Sequence, residues 1–169
     1  MKMNVTRFAL LFLQILSGTL VWAQQPSSDL LISPGDIPRV LRMAPGLAEA
    51  TNRGPEATRA FLTTQELSFR KFHQVLTNIS VAYTAIKLEE YLKQVEPLVD
   101  AKSKDSQYQA YLAQTRKQLA DLTAKYEKER KNGRSALDVN KEFVSKNRAE
   151  VEQILVHIRN GNPESLPKE

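Results

Sequence analysis

Residues 62–86, LTTQELSFRKFHQVLTNISVAYTAI, decide the fold because apolar side chains recur in them at alternating steps of three and four residues. This alternation averages about 3.5 residues, which keeps the stripe on one side of a gently supercoiled helix. The stripe positions are Leu62, Gln65, Phe69, Phe72, Leu76, Ile79, Tyr83 and Ile86. The pattern predicts a long amphipathic helix, from about Pro55 to the residue before Pro97.

Two further helices are predicted with the same spacing, over about 106–131 and 135–160. Pro97 and Gly133 separate the three helices, since proline and glycine interrupt helical patterns. Short connections make sequential helices antiparallel. We therefore expect an all-α fold, an elongated antiparallel three-helix bundle over residues 56–160 with a long first helix.

Three local signals mark helix ends. Pro55 suits the first position of a helix, where its missing N–H group has no intrahelical partner. Ser135, followed by Asp138 three residues later, is typical of a helix start. Gly133 can adopt the left-handed conformation that ends the second helix.

The N-terminal part of the chain, residues 24–55, is predicted to be a proline-rich arm. It holds five of the eight prolines, a density that opposes long regular elements. Residues 36–43 favour a helix of only one or two turns. Apolar residues through 30–47 indicate that the arm packs on the bundle, whereas residues 161–169 are predicted to be a flexible tail.

The unequal helix lengths leave one end of the first helix projecting. That helix has about 42 residues, or roughly 63 Å, against about 26 residues, or roughly 39 Å, for each of the others. Phe61, Leu62 and Phe69 lie in the projecting part, and we call them the apolar end. Such a surface needs cover. Three arrangements would meet this need. The arm folds over the apolar end, or a second copy covers it in a homodimer. In the third, the first helix is kinked or broken near residues 77–81.

Residues 1–23 are predicted to be a secretory signal peptide. Lys2 and Arg7 supply the positive start, residues 8–16 the apolar run, and Ala23 the small residue before the cleavage site. The apolar run is shorter than the ~20 residues that cross hydrocarbon. We therefore expect a periplasmic or secreted protein with no transmembrane segment after cleavage.

The composition argues against most enzyme and metal sites. The chain has no cysteine and only two histidines, His73 and His157, which lie far apart along the predicted bundle. The sequence contains no familiar nucleophile, metal or phosphate-binding motif. Glu89 and Glu90 are adjacent, and adjacent helix positions diverge by about 100°. We expect a non-enzymatic protein with no catalytic residue, no metal and no cofactor.

Positive charge is concentrated near the end of the second helix. Residues 101–134 hold 9 basic and 4 acidic side chains, although the whole chain carries a net charge of only +5. The residues concerned, which we call the basic patch, are Lys125, Lys128, Arg130, Lys131 and Arg134. One interpretation is a contact surface for an anionic partner. The other is a solvated helix end where cations favour the helix dipole.

These features together predict an exported helical interaction protein of a bacterial envelope, acting as a scaffold, adaptor or chaperone-like helper. Its expected partner is a protein or an anionic envelope component, not nucleic acid. The alternative is a carrier of a small apolar ligand in the same compartment. The apolar end and the basic patch are the candidate contact regions.

Overall fold

The structure is a computed structural model that describes residues 30–65, 69–102, 106–127, 130–131 and 133–161. The predicted signal peptide, residues 1–23, lies outside the described residues, as do residues 162–169 of the predicted tail.

Helices dominate the described residues and confirm the all-α class. They are α1 (Asp36–Arg53), α2 (Pro55–Thr64), α3 (Phe69–Lys102), α4 (Ser106–Glu127), α5 (Ala136–Lys146) and α6 (Arg148–Asn160). Two short strands, β1 (Arg130–Lys131) and β2 (Arg134–Ser135), pair antiparallel between α4 and α5. None of the helices in the described ranges combines the length and apolar character needed to cross a membrane.

The first helix, α1, is much longer than the one or two turns predicted for residues 36–43. It runs for 18 residues and contains Pro45, so the expectation that prolines forbid long elements here was wrong. Its buried residues are Ile37, Val40, Met43, Ala44, Leu47, Ala50 and Thr51. A stripe with this helical spacing gains enough from burial to outweigh the hydrogen bond that a proline removes.

The long first helix of the sequence analysis is broken, and the break lies after α2 rather than near residues 77–81. Thr63 and Thr64 donate side-chain hydrogen bonds to the carbonyls of Arg59 and Phe61, at 2.9 and 2.6 Å. Threonine hydroxyls that bond to preceding carbonyls in this way compete with the helical pattern. The helix starting at Pro55 ends at Thr64, and the Gln65 N–H that follows it donates to the Leu62 carbonyl at 3.2 Å.

Helix α3 continues through both features expected to interrupt it. Residues 77–81 are helical, and Asn78, Ile79 and Val81 are buried. Pro97 lies inside α3 on an exposed part of the helix. Water can therefore hydrogen-bond to the carbonyl whose intrahelical donor proline lacks.

The core lies around the middle of α3, which is buried on nearly every side over residues 78–85. A helix that is covered all round lies at the centre of its fold. Helix α4 packs against α3, and so do α5 and α6. Helix α1 packs along α6 and α2, so the described N-terminal residues belong to the same folded body.

The third predicted helix is divided at Asn147 into α5 and α6. The Asn147 side chain donates to the Phe143 carbonyl at 2.8 Å, and the Asn147 backbone N–H donates to the same carbonyl at 3.2 Å. Asparagine side chains commonly take over such terminal carbonyls. The predicted start is confirmed, because the Ser135 hydroxyl accepts from the Asp138 N–H at 3.1 Å.

Candidate functional site

The apolar end is largely occupied by contacts within the chain. Leu62 is buried, and the Phe61 ring lies against Gly46 of α1, where a Cβ atom would come within 2.6 Å of Phe61 Cε2. Phe69 begins α3, and its side chain lies outside the described part of the structure. The structure therefore brings Phe61 and Leu62 together with α1.

The basic patch spans the end of α4 and the hairpin that follows it. Lys125 lies in the last turns of α4, and the strands pair Arg130 with Ser135 and Lys131 with Arg134. Gly133 has a φ of +78°, the left-handed conformation predicted for it, but it adopts that conformation in the hairpin turn. Lys128 and the side chains of Lys125, Arg130 and Lys131 lie outside the described part of the structure.

Arg134 is the member of the patch whose side chain is described, and it is paired within the chain. Its Nη1 atom donates to Glu142 Oε2 at 2.7 Å, and Lys146 Nζ donates to Glu142 Oε1 at 2.6 Å. The hydrogen bonds from Lys146 and Arg134 lower the pKa of Glu142 to about 2. Arg134, Glu142 and Lys146 are all exposed, so their ion pairs join the hairpin to α5 while the charged groups stay in contact with water.

A second charged cluster joins α3 to α6, and we call it the Arg148 network. Arg148 binds Glu90 with two nitrogens, at 2.7 and 3.2 Å, and donates to Glu152 from Nε at 3.2 Å. The Tyr83 hydroxyl donates to Glu152 Oε1 at 3.1 Å. Lys87 Nζ lies 5.5 Å from the centre of the Tyr83 ring. A bidentate arginine–carboxylate pair fixes orientation as well as charge.

The protonation states of the Arg148 network suit a structural role better than acid–base chemistry. Burial, and then Glu152, raises the pKa of Tyr83 to about 12. Hydrogen bonds from Arg148 lower the pKa of both Glu90 and Glu152. An efficient general acid or base has a pKa near the working pH. The shifts in this network move its groups away from neutrality.

The other residues that were candidates for acid–base catalysis or metal binding do not lie together in one site. Glu89 accepts from Lys141 at 2.8 Å, whereas the adjacent Glu90 binds Arg148, so the two carboxylates face different helices. His73 on α3 and His157 on α6 are both partly buried. Among the described residues, no group of three or more histidine, aspartate or glutamate side chains is arranged to hold a metal ion.

Residues 30–32, which we call the N-terminal strap, are held by a buried side chain far along the chain. Asn140 is fully buried; its Oδ1 accepts from the Ile32 N–H at 2.9 Å and its Nδ2 donates to the Leu30 carbonyl at 2.6 Å. Leu30 and Ile32 are themselves buried. One amide side chain thus binds both backbone groups that flank Leu31.

Sequence reasoning missed the role of Asn140, although the signal was present. Asn140 occupies an apolar stripe position of the third predicted helix, and a polar residue there must find a partner when buried. Asn78 is a second buried amide, although it lies outside the predicted stripe of its helix, and its Oδ1 accepts from the Tyr126 hydroxyl at 2.9 Å. These two buried amides mark links between elements.

A shallow groove of about 320 Å³ opens between α3, α4 and α5. It is lined by Glu89, Arg116, Leu119, Ala120, Thr123, Leu137 and Lys141. Leu119 and Leu137 also belong to the cluster that buries Leu30. The groove therefore adjoins that cluster through two leucines, although four of its seven lining residues are polar or charged.

The fold and these surfaces define a helical protein in which several described polar groups join distant elements. The chain matches no protein-family model, no curated protein and no solved structure. A functional assignment therefore depends on the residues themselves.

Proposed function

We propose that the chain is an exported, non-enzymatic helical interaction protein of a bacterial envelope, with a scaffold, adaptor or chaperone-like role. It acts in the periplasm or outside the cell, and it binds a protein or an anionic envelope component through the basic patch. Cleavage of residues 1–23 releases the chain into that compartment.

The observation that carries the proposal is the placement of like charges in the hairpin. Lys131 and Arg134 are paired at directly opposite positions of the antiparallel hairpin, and Arg130 precedes Lys131 in β1. Like charges at directly opposite positions destabilise a strand pair. Glu142 offsets part of the repulsion by binding Arg134 at 2.7 Å. This concentration of positive charge would attract an anionic partner, and this is why we propose one.

The proposed architecture places this patch at one end of an elongated antiparallel bundle. Helix α3 is its long member, α4 is the second, and α5 with α6 forms a third, divided member. Residues 24–55 act as the arm that covers the projecting start of the first predicted helix, and the contacts of α1 with α2 and α6 support that arrangement. A second copy that covers this start in a homodimer is the competing arrangement.

Crosslinking mass spectrometry in the native envelope tests this function. A lysine-reactive reagent should link Lys125, Lys128 and Lys131 to another molecule, whereas Lys93, exposed on α3, should give few such links. The proposal also predicts loss of these links at about 1 M salt, where the screening length falls to about 3 Å. Intermolecular links spread evenly over Lys93 and the patch would contradict it.

A carrier of a small apolar ligand is the second proposal, and the groove lined by Leu119 and Leu137 favours it. Its volume, about 320 Å³, is at the lower limit of ordinary ligand sites. Glu89, Arg116 and Lys141 line the same groove, which leaves little continuous apolar wall. Native mass spectrometry of protein purified from the envelope separates the two functions, because a carrier retains a bound ligand and an interaction protein does not.

A further inference from the structure

A second group of positively charged side chains, formed by residues outside the basic patch, lies between α1 and the end of α2. A cavity of about 240 Å³ opens there, and its lining residues are Arg39, Arg42, Met43 and Gln65. Arg39 and Arg42 are three residues apart on α1, so their side chains are neighbours on one face of that helix. Two guanidinium groups therefore line one small cavity.

The Arg39 side chain is oriented by a backbone group of the same cavity. Its Nη2 atom donates to the Gln65 carbonyl at 3.1 Å, and Gln65 directly follows the last residue of α2. A guanidinium group has five N–H donors, and this bond engages one of them. The contact holds Arg39 at the cavity before a ligand arrives, which reduces the entropy lost on binding.

The Arg42 side chain is exposed, and its donors are not taken up by a carboxylate of the chain that the structure describes. Other described arginines are paired in this way: Arg116, Arg134 and Arg148 each bind a glutamate. The donors of Arg42 can therefore bind an anion that enters the cavity from solution.

The donors that line the cavity favour a phosphate group over a carboxylate. The guanidinium groups and the Gln65 amide supply N–H donors, and a terminal phosphate supplies three acceptor oxygens with about two negative charges at neutral pH. A single guanidinium group satisfies a planar carboxylate, whereas the oxygens of a tetrahedral phosphate point in several directions and can bind two guanidinium groups. Sites for drug-sized ligands start at about 300 Å³, so this cavity suits a phosphate with a small substituent.

We infer that the cavity between α1 and the end of α2 binds a terminal phosphate group. Arg39 and Arg42 bind its oxygens, and the Gln65 side chain is a third donor. Inorganic phosphate, a soluble phosphate ester and a lipid with a terminal phosphate share this chemistry. The site goes beyond the proposed function, because it contains no residue of the basic patch.

The test is isothermal titration calorimetry of the exported chain, purified from the envelope, with inorganic phosphate in a buffer that contains no other multivalent anion. Arg42→Gln should weaken binding at least about tenfold, because it removes hydrogen bonds between charged groups. Arg42→Lys keeps the charge but loses the planar donor group, so it should weaken binding as well.

The matched control is Arg53→Gln, which removes the same charge from the same helix. Arg53 lies about 16 Å along α1 from Arg42, beyond the screening length of about 10 Å at 0.1 M salt, so its removal should change the affinity less than about twofold. Equal losses in the two glutamine variants would overturn the inference, and so would an unaltered chain that binds no phosphate. Acetate that binds as tightly as phosphate would overturn the assignment of a tetrahedral ligand.

A second measurement covers the case in which Arg42→Gln does not keep the helical circular dichroism of the unaltered chain. Amide NMR spectra of the unaltered chain are then recorded as phosphate is added. The resonances of Arg42 and Gln65 should shift, and that of Arg53 should not. Shifts of similar size at all three residues would overturn the inference.

Two further probes distinguish the sources of the phosphate group. Glycerol phosphate represents a soluble ester, and vesicles with phosphatidic acid, compared with vesicles of phosphatidylcholine alone, represent a lipid. Binding of either probe that Arg42→Gln abolishes supports the site and assigns its source. Binding of both probes that Arg42→Gln leaves unchanged would overturn it. Envelope crosslinks at the basic patch do not depend on Arg42, so failure of this inference is distinct from failure of the proposed function.

Discussion

The Tyr126 hydroxyl donates a hydrogen bond to Asn78 Oδ1 at 2.9 Å, and both side chains are buried. The two residues lie 48 positions apart, on α4 and α3. The bond joins the central helix to its neighbour through two buried polar side chains. It therefore fixes the register of α4 on α3 as well as satisfying a buried amide.

Removing the Tyr126 hydroxyl should lower the free energy of unfolding without changing the fold. Tyr126→Phe keeps the ring and deletes the donor to a buried acceptor, which costs about 1–3 kcal/mol. Tyr111→Phe is the matched control, because Tyr111 is partly exposed and its ring meets Tyr91 edge to face at 6.0 Å. Urea unfolding should show the loss for Tyr126→Phe and a change within about 0.5 kcal/mol for Tyr111→Phe. Equal losses would mean that the Asn78 bond contributes nothing.

Stability should fall as the pH rises from 10 to 12. Burial raises the pKa of Tyr126 from 10.0 to about 12, and burial with Glu152 does the same for Tyr83. In this range the unfolded chain loses phenol protons that the native chain keeps, so the free energy of unfolding decreases as pH increases. The urea midpoint should drop less steeply in Tyr126→Phe than in the unaltered chain. Parallel slopes would contradict the assigned burial effect.

The Arg148 network should stabilise the protein above its acid range. Arg148 holds the pKa values of Glu90 and Glu152 below 4.5, so the contribution is present above that pH and is lost as pH falls through the lowered values. Arg148→Ala should cost about 1 kcal/mol at neutral pH, since the contacts are partly exposed. Its acid unfolding curve should be flatter below pH 4.5. Arg159→Ala, in the last turn of α6, is the control and should leave the curve unchanged.

Much of the helical pattern could be predicted from the sequence, because local spacing determines which face is buried. Phe72, Leu76 and Ile79 were predicted on one stripe, and all three are buried. The helix starts at Pro55 and Ser135 were also predicted, since capping depends on neighbouring residues. Helix propensity gave the wrong prediction at Pro45, because burial of the apolar residues of α1 outweighs the local cost of a proline inside the helix.

The links between distant parts of the chain could not be predicted. Asn140 binds residues 108 and 110 positions away, and no local pattern names such a partner. The sequence shows the positive charge of the basic patch, but it does not show that Glu142 neutralises part of that charge. Arg134 reaches Glu142 only because the hairpin turns the chain back against α5. Tertiary geometry therefore decides which predicted residues remain open to a partner.

The close approach of α1 to the end of α6 should not tolerate a methyl group. A Cβ atom at Gly161 would lie 2.5 Å from Thr51 Oγ1 and 3.1 Å from Ala48 Cα. The Thr51 hydroxyl donates to the Ala48 carbonyl at 2.9 Å, which limits its freedom to move away. Gly161→Ala should therefore cost about 1–3 kcal/mol.

The matched control is Gly35→Ala, because nothing lies within 4 Å of the added Cβ atom. Its effect on urea unfolding should stay within about 0.5 kcal/mol. A Gly161→Ala variant as stable as the Gly35→Ala variant would show that α1 and α6 are packed less closely than described.

The most direct test of the central claim is the salt dependence of binding between the purified exported chain and isolated envelope fractions. Binding through the basic patch should weaken steadily as salt rises from about 0.05 to 1 M, because the screening length shrinks from more than 10 Å to about 3 Å. The triple variant K125E/K128E/K131E should lose binding at low salt, and K93E should retain it. Binding that is unaffected by salt, or lost equally in both variants, would contradict an interaction through the end of α4.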